Sequence, residues 1–170
     1  MISNNMQKAI NRQINAELWS AYLYLSMAMD AEAKALKGIA RWFHIQSREE
    51  QDHAMILQNH LNDRGARVQL LPIEGVPTEW QSPLEMFQNT LEHEKTVTSM
   101  IDKLMREAMG ENDYPTMCAL HWFVEEQVEE ESQAAQLVSD FERAGNDPGA
   151  VHALDRELAE REYEKASPLK

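Results

Sequence analysis

A single cysteine, Cys118, leaves the chain without an internal disulfide, so the fold cannot be the stapled, core-poor scaffold of small secreted proteins. Cys118 is read as a packing residue, not a catalytic thiol. No stretch reaches the roughly 18 uncharged apolar residues that a membrane span needs. Met1-Ile2-Ser3-Asn4-Asn5 carries neither a basic leader nor an apolar run. The expectation is a soluble, cytoplasmic protein with no membrane partner. Basic residues are scarce: 16 Lys and Arg against 29 Asp and Glu give a formal charge of −13, which argues against a nucleic-acid surface and favours cationic partners, metal ions among them. What remains is 170 residues, read as one domain over 1–170 and long enough to bury an apolar core unaided.

The few glycines and prolines punctuate five segments. A first helix is expected over about Asn4 to Ala35, closed before Gly38, and a second over about Ile39 to Arg64, with Gly65 as a left-handed cap. Residues 66 to 81, interrupted by Pro72, Gly75 and Pro77, are too broken for a helix and read as a long crossover. Ser82-Pro83-Leu84-Glu85 combines an N-cap serine, a proline in the first turn and a capping-box glutamate; the third helix starts there and ends at Gly110. A fourth runs from Asp113-Tyr114-Pro115 to Gly145. Asp147-Pro148 opens a short fifth helix to about Tyr163, and residues 164–170 form a loose tail. The fold class is therefore all-α: a four-helix bundle with a long crossover between helices 2 and 3 and a short fifth C-terminal helix.

Apolar residues at three- and four-residue spacing mark the inward face of each helix, and polar residues interrupt every stripe near its middle. On the first helix Ile10, Ile14, Ala21, Leu25 and Ala28 surround Glu17. On the second, Ile39, Phe43, Leu57 and Leu61 flank Glu50 and His53. On the third, Phe87, Leu91, Ile101 and Met105 flank Glu94; on the fourth, Leu120, Val124, Ala134, Leu137 and Phe141 flank Gln127 and Glu130. Met27, Met29 and Trp19 fall off the inward stripe and suit burial against a neighbouring subunit. A carboxylate in an apolar interior is costly unless it is paired or binds a cation.

The spacing is a second, independent observation. Glu17 and Glu50 are 33 residues apart (50 − 17), and Glu94 and Gln127 are 33 apart as well (127 − 94). The halves superpose, Glu50-x-x-His53 falling on Gln127-x-x-Glu130, as a two-fold pseudo-symmetric site requires; residues three apart on a helix share a face. An oxygen-rich set with one imidazole suits iron or manganese better than structural zinc. Glu50 and Glu130 are the natural shared ligands of two metals, with Glu17 and His53 completing one and Glu94 the other. Gln127 is a neutral, weak ligand and Glu130 stands where symmetry would put a histidine, so the second metal should be held more loosely, as iron turnover needs.

These residues resemble the bacterial non-haem ferritins. The resemblance rests on Glu17-Leu18-Trp19-Ser20, Glu49-Glu50-x-x-His53, Ser82-Pro83-Leu84, Asn112-Asp113-Tyr114-Pro115-Thr116, and Trp122-x-x-Glu125-Glu126-Gln127 leading into Glu129-Glu130-Glu131. It implies an iron-storage protein with a ferroxidase centre that uses O2 or H2O2. One iron would sit on Glu17, Glu50 and His53, the other on Glu50, Glu94 and Glu130 with Gln127 beside it. It further implies a third iron on Glu49, Glu126 and Glu129, a redox-active Tyr24, Trp122 close by, about two to three irons per subunit, and a hollow homo-oligomeric shell of roughly twenty-four subunits with the fifth helix at one set of symmetry contacts. Bacterioferritins are similar but carry Glu-x-x-His on the fourth helix and a haem-ligating methionine after the second-helix glutamate. Here those places hold Glu130 and Gln51, so no haem is expected. The mini-ferritins that protect DNA lack the fifth helix and place their ligands between subunits.

On the residues alone, Glu49, Glu126 and Glu129 read equally as a solvated acidic face, and Tyr24 as a satisfied core tyrosine. Two other functions use the same pattern: a di-iron oxygenase or peroxide-scavenging relative, which would keep two Glu-x-x-His pairs, and a metal-free helical scaffold, which leaves the repeated spacing unexplained. His44, His60, His93, His121 and His152 have no partner at ligand spacing and are read as surface or interface residues. Glu111 and Asp113, at the turn between the third and fourth helices, are candidates for acidic openings that draw in Fe(II).

Overall fold

The computed structural model describes residues 2–168 and consists, over those residues, of five helices: α1 Asn4–Ala33, α2 Lys37–Asp63, α3 Pro83–Glu111, α4 Tyr114–Ala144 and α5 Pro148–Leu158. Side-chain caps fix four of the starts. Ser3, Ser82, Asp113 and Asp147 accept from Met6, Glu85, Thr116 and Gly149 backbone N–H groups, satisfying donors that a helix start leaves open.

Helices α1 and α2 form one antiparallel hairpin and α3 and α4 the other. The crossover, residues 64–82, climbs along α1: Asn11 Nδ2 donates to the Arg67 carbonyl (3.1 Å), Asn11 Oδ1 accepts from Gln69 N (2.6 Å), Ser26 Oγ donates to the Pro77 carbonyl (2.6 Å), and Trp80 N donates to Asp30 Oδ2 (3.1 Å). Positions 11 to 30 of a helix span about 28 Å, nearly the bundle's length. The segment returns the chain to the top of the bundle, so that α3 runs antiparallel to α1.

The core lies in two apolar layers. One is built on Met6, Ile10, Ile14, Leu57, Leu61, Ile101, Leu104 and Leu120, the other on Tyr24, Met27, Ile39, Phe43, Trp80, Phe87 and Phe141. Phe43, Phe87 and Phe141 stack at 5.2 and 5.0 Å between centroids. Glu17, Glu50, Glu94 and Gln127 occupy the level between the layers.

Several expectations are corrected. Gly38 is the second residue of α2 and Gly110 the second-last of α3; the left-handed residues that follow α1 and α3 are Ala35 (φ 59°) and Asn112 (φ 54°). The C-terminus of α1 closes because Leu36 N reaches back to the Ala31 carbonyl (3.0 Å). Gly38 serves close packing: a Cβ there would lie 1.5 Å from the Asp155 carbonyl oxygen of α5. Leu25 and Val124 face outward, displaced from the inward stripe by the neighbouring Tyr24 and Phe123, and Met27 is fully buried. Cys118 is exposed because it lies about 200° round α4 from the inward Thr116 and Leu120. Asp113 is buried, capping α4 and pairing with Arg64 (2.6 Å). Finally, α5 stops at Leu158, and the chain beyond docks on α2: Arg41 Nε donates to the Arg161 carbonyl (2.8 Å), and Tyr163 Oη and Ala166 N both donate to Asp52 Oδ2 (2.6 and 3.2 Å). These tertiary bonds override the helical propensity of residues 159–163 and hold residues 164–166 of the expected loose tail in place.

Candidate metal centre

Glu17, Glu50 and His53 are each no more than 2 % exposed, and their ligand atoms lie within 4.8 Å of one another. Gln13, one turn before Glu17 on α1, donates from Nε2 to Glu17 Oε1 (2.8 Å). Gln46, one turn before Glu50 on α2, donates to Glu130 Oε2 on α4 (2.9 Å). Glu94 accepts from Tyr24 Oη at one oxygen and from Gln127 Nε2 at the other (3.3 Å). His53 sits edge-on to Trp122 and Phe123 at 5.5 and 5.9 Å.

Both Glu94 oxygens are thereby used, whereas the bond from Gln13 satisfies only one oxygen of Glu17. Glu17 Oε2, Glu50 Oε2 and His53 Nε2 are buried without a hydrogen-bond partner. Such atoms are rare in folded proteins, and here three converge, which is the arrangement a cation resolves. His53 also belongs to a second group, with Glu126 and Glu130, whose ligand atoms again lie within 4.8 Å. The expected set Glu50, Glu94 and Glu130 is not brought to that spacing, because Tyr24 and Gln127 hold Glu94. Glu49 is half-buried and paired with Arg161 (2.7 Å); Glu129 is exposed and accepts from Gln133 (3.0 Å).

The electrostatics follow from this crowding. Burial raises the Glu17 carboxyl to about 8, helped by Glu50. Burial, then Glu94 and Glu130, pushes Glu50 well above the ordinary carboxylate range. Glu94 is raised chiefly by burial, and Glu130 goes to about 7 by burial and Glu94. Burial and the facing Glu94 raise Tyr24 well above its ordinary value, so it stays a protonated donor.

These shifts set the pH dependence of the metal-free protein. A carboxyl whose folded pKa is raised holds its proton after the unfolded chain has lost it, so stability falls as pH rises through that interval. His93 acts oppositely: burial lowers it to about 4 against an ordinary 6.5, so it adds stability as pH rises from 4 to 6.5. The window free of that opposition runs from about 6.5 to about 8, where Glu17 and Glu130 are titrating. Metal-free protein should melt several degrees lower at about pH 8 than at about pH 6.5, and Zn(II) should remove most of the difference. A melting temperature that rises across the window would contradict this electrostatic account.

Gln13 and Gln46 were missed in the sequence, although their own separation is again 33 residues (46 − 13) and each lies four before a site glutamate. His93 has partners that its position in the sequence did not suggest. It is half-buried, hydrogen-bonded to Ser20 Oγ (2.7 Å), and lies edge-on to Tyr24 at 5.9 Å.

A ferritin-like domain model matches residues 7–144. A bacterial non-heme ferritin of Bacteroides fragilis is 41 % identical over 161 residues, 95 % of this chain and 100 % of that one. The chain belongs to the ferritin family. A bacterial non-heme ferritin of Staphylococcus aureus is 33 % identical over 97 % of this ferritin chain and 99 % of its own. Among solved structures, the open-pore ferritin of the hyperthermophilic archaeon Archaeoglobus fulgidus superposes with a TM-score of 0.94 at 46 % identity, covering 95 % of this chain and 100 % of that one.

Proposed function

We propose that this ferritin is an iron-storage subunit that oxidises Fe(II) to Fe(III) within its own bundle and passes the product to a ferric mineral in a hollow shell. The observation that carries the reading is the convergence of three unpartnered, buried ligand atoms on Glu17, Glu50 and His53. Fe(II) is the substrate. Its binding displaces the protons that Glu17, Glu50 and Glu130 hold at neutral pH, and an anionic, solvent-poor pocket favours the higher oxidation state. Two Fe(II) ions give up two electrons; O2 takes them with two protons to become H2O2, or H2O2 takes them with two protons to become two waters. Glu94, held by Tyr24 and Gln127, and Glu130, held by Gln46, serve the second iron, and Tyr24 lies within reach as a redox-active residue. Glu49, Glu126 and Glu129 form a third iron site beside the centre.

The chain acts as a single domain over 1–170 and assembles with copies of itself into a shell of roughly twenty-four subunits. Exposed Tyr22, Leu25 and Met29 on α1, and Leu70, Leu71 and Ile73 on the crossover, supply apolar surface for that assembly. Gln51 in place of a methionine leaves no haem ligand after Glu50. No helix among the described residues is long and apolar enough to cross a membrane. The shell is cytoplasmic, where the exposed Cys118 thiol stays reduced, and neither membrane nor nucleic acid is a partner.

The test is a stopped-flow titration of metal-free protein with Fe(II) in air. A fast phase saturating at about two to three irons per subunit, then slower mineral growth, is the expected result; oxidation no faster than in buffer would reject the reading. Replacing Glu130 by histidine, which restores the symmetry of the two halves, should strengthen retention of the second iron against a chelator and slow turnover several-fold, about 10-fold at most. Unchanged turnover would remove the role given to the asymmetry.

A further inference from the structure

Beside the centre lies a cavity of about 330 Å³ lined by Glu49, Glu126, Glu129, Glu130, Trp122 and Arg161, with Lys165 of the C-terminal segment at its edge. Glu130 and His53 join it to the centre, since His53 groups both with Glu17 and Glu50 and with Glu126 and Glu130. Arg161 arrives from a segment 112 residues away in sequence and is fixed at every part of its length. Its carbonyl accepts from Arg41 Nε (2.8 Å), its guanidinium lies over the Trp42 ring at 4.8 Å, Nη1 reaches the Trp42 carbonyl (3.5 Å), and Nη2 donates to Glu49 Oε2 (2.7 Å). The next residues are anchored independently, by Tyr163 Oη to Asp52 (2.6 Å) and by Arg48 over the Tyr163 ring at 3.8 Å. The chain thus places a permanent, side-on cation against one of the carboxylates assigned to iron.

We propose that Arg161 is a built-in counter-cation for the third iron site: it occupies Glu49 while that site is empty and must let go before a metal can use Glu49, so it sets how weakly the third position holds iron. The proposal rests on the reading of Glu49, Glu126 and Glu129 as that site. Arginine cannot discharge at neutral pH, so it competes with the metal as a charge and not as a proton. A third position held open in this way accepts iron from the centre and releases it onward. A position built from the same glutamates without the arginine would retain it. Arg161 makes no hydrogen bond to Glu17, Glu50 or His53 and is a positioning residue.

The experiment is calorimetric titration of the metal-free assembled shell with Zn(II), which binds without being oxidised, in the wild type, Arg161→Gln, Arg161→Lys, Glu49→Gln and the Glu49→Gln/Arg161→Gln double variant. Arg161→Gln should tighten the weakest Zn(II) step by about tenfold and leave the tighter steps unchanged. Arg161→Lys, which keeps a charge but loses the planar fork, should tighten it less, and it carries the test if the glutamine variant fails to assemble. Glu49→Gln should abolish that step in both backgrounds. If Glu49→Gln abolishes the step but neither Arg161 variant tightens it, the role of Arg161 is overturned and the third site stands. If Glu49→Gln removes no step, the third site fails and the inference fails with it.

Discussion

Glu50→Gln or His53→Ala is expected to lower the initial rate of Fe(II) oxidation by roughly a hundredfold or more while leaving assembly intact. Both side chains belong to the one group among the described residues in which all three members are buried and each has a ligand atom without a hydrogen-bond partner. The helices are held chiefly by the apolar layers above and below. The Glu50 variant carries a second signature. Its carboxyl is held well above its usual range by burial, Glu94 and Glu130, so a neutral amide removes the free-energy cost, on folding, of keeping it protonated in the metal-free state. Metal-free Glu50→Gln should therefore melt several degrees higher than the wild type at about pH 8, with Zn(II) stabilising it less. Stopped-flow absorbance, sedimentation and thermal melts decide the matter together. A variant that keeps fast oxidation would place the chemistry elsewhere, and one that fails to assemble would make Glu50 a structural residue.

Gly38→Ala is expected to cost about 3 kcal/mol or more and to release α5 from α2. The added Cβ would meet the Asp155 carbonyl oxygen at 1.5 Å, its carbon at 2.6 Å and Ala159 N at 3.0 Å. All three are backbone atoms, so no side chain can rotate away and the helix itself must shift. That shift also breaks the bond from Ile39 N to Asp155 Oδ1 (2.9 Å). Thermal melts should fall sharply, and hydrogen exchange should accelerate over 148–166 while α1 to α4 keep their protection. Protection over 148–158 that matches the wild type would show that α5 does not depend on this approach.

How much of this could be read from the sequence follows from the range of each interaction. Ser82-Pro83 and Asp113 announce their helices because a cap is decided within four residues, and α3 and α4 start where expected. The bundle was legible because each stripe repeats over a whole helix, and the central carboxylates because they interrupt every stripe at one level. Leu25 and Val124 were misassigned because neighbouring apolar residues on a wide stripe differ by only 100° in direction, and the larger Tyr24 and Phe123 took the interior. Gly38 looked like a terminator because glycine has two uses, a left-handed turn and a close approach, and only the packed structure distinguishes them. The return of Arg161 to Glu49 has no local signal: Ala159 to Glu162 carry good helical propensity, and bonds to α2 more than a hundred residues earlier decide otherwise. Gln13 and Gln46 were legible in principle, since each stands one turn before a site glutamate, Glu17 and Glu50.

That register means the chain is two versions of one hairpin, offset by 77 positions (94 − 17), and the versions carry unequal responsibilities. Gln13 and Gln46 correspond to Thr90 and Phe123. The first pair spends its amides on Glu17 and Glu130, whereas Thr90 Oγ1 donates to its own helix at the Met86 carbonyl (3.0 Å) and Phe123 packs in the apolar layer. The imidazole, too, stands only in the first version. Mutational tolerance should therefore be lopsided: the α3–α4 copy can drift through apolar and hydroxyl exchanges at these places, while the α1–α2 copy, carrying the amides and the histidine, is the one that descent must keep.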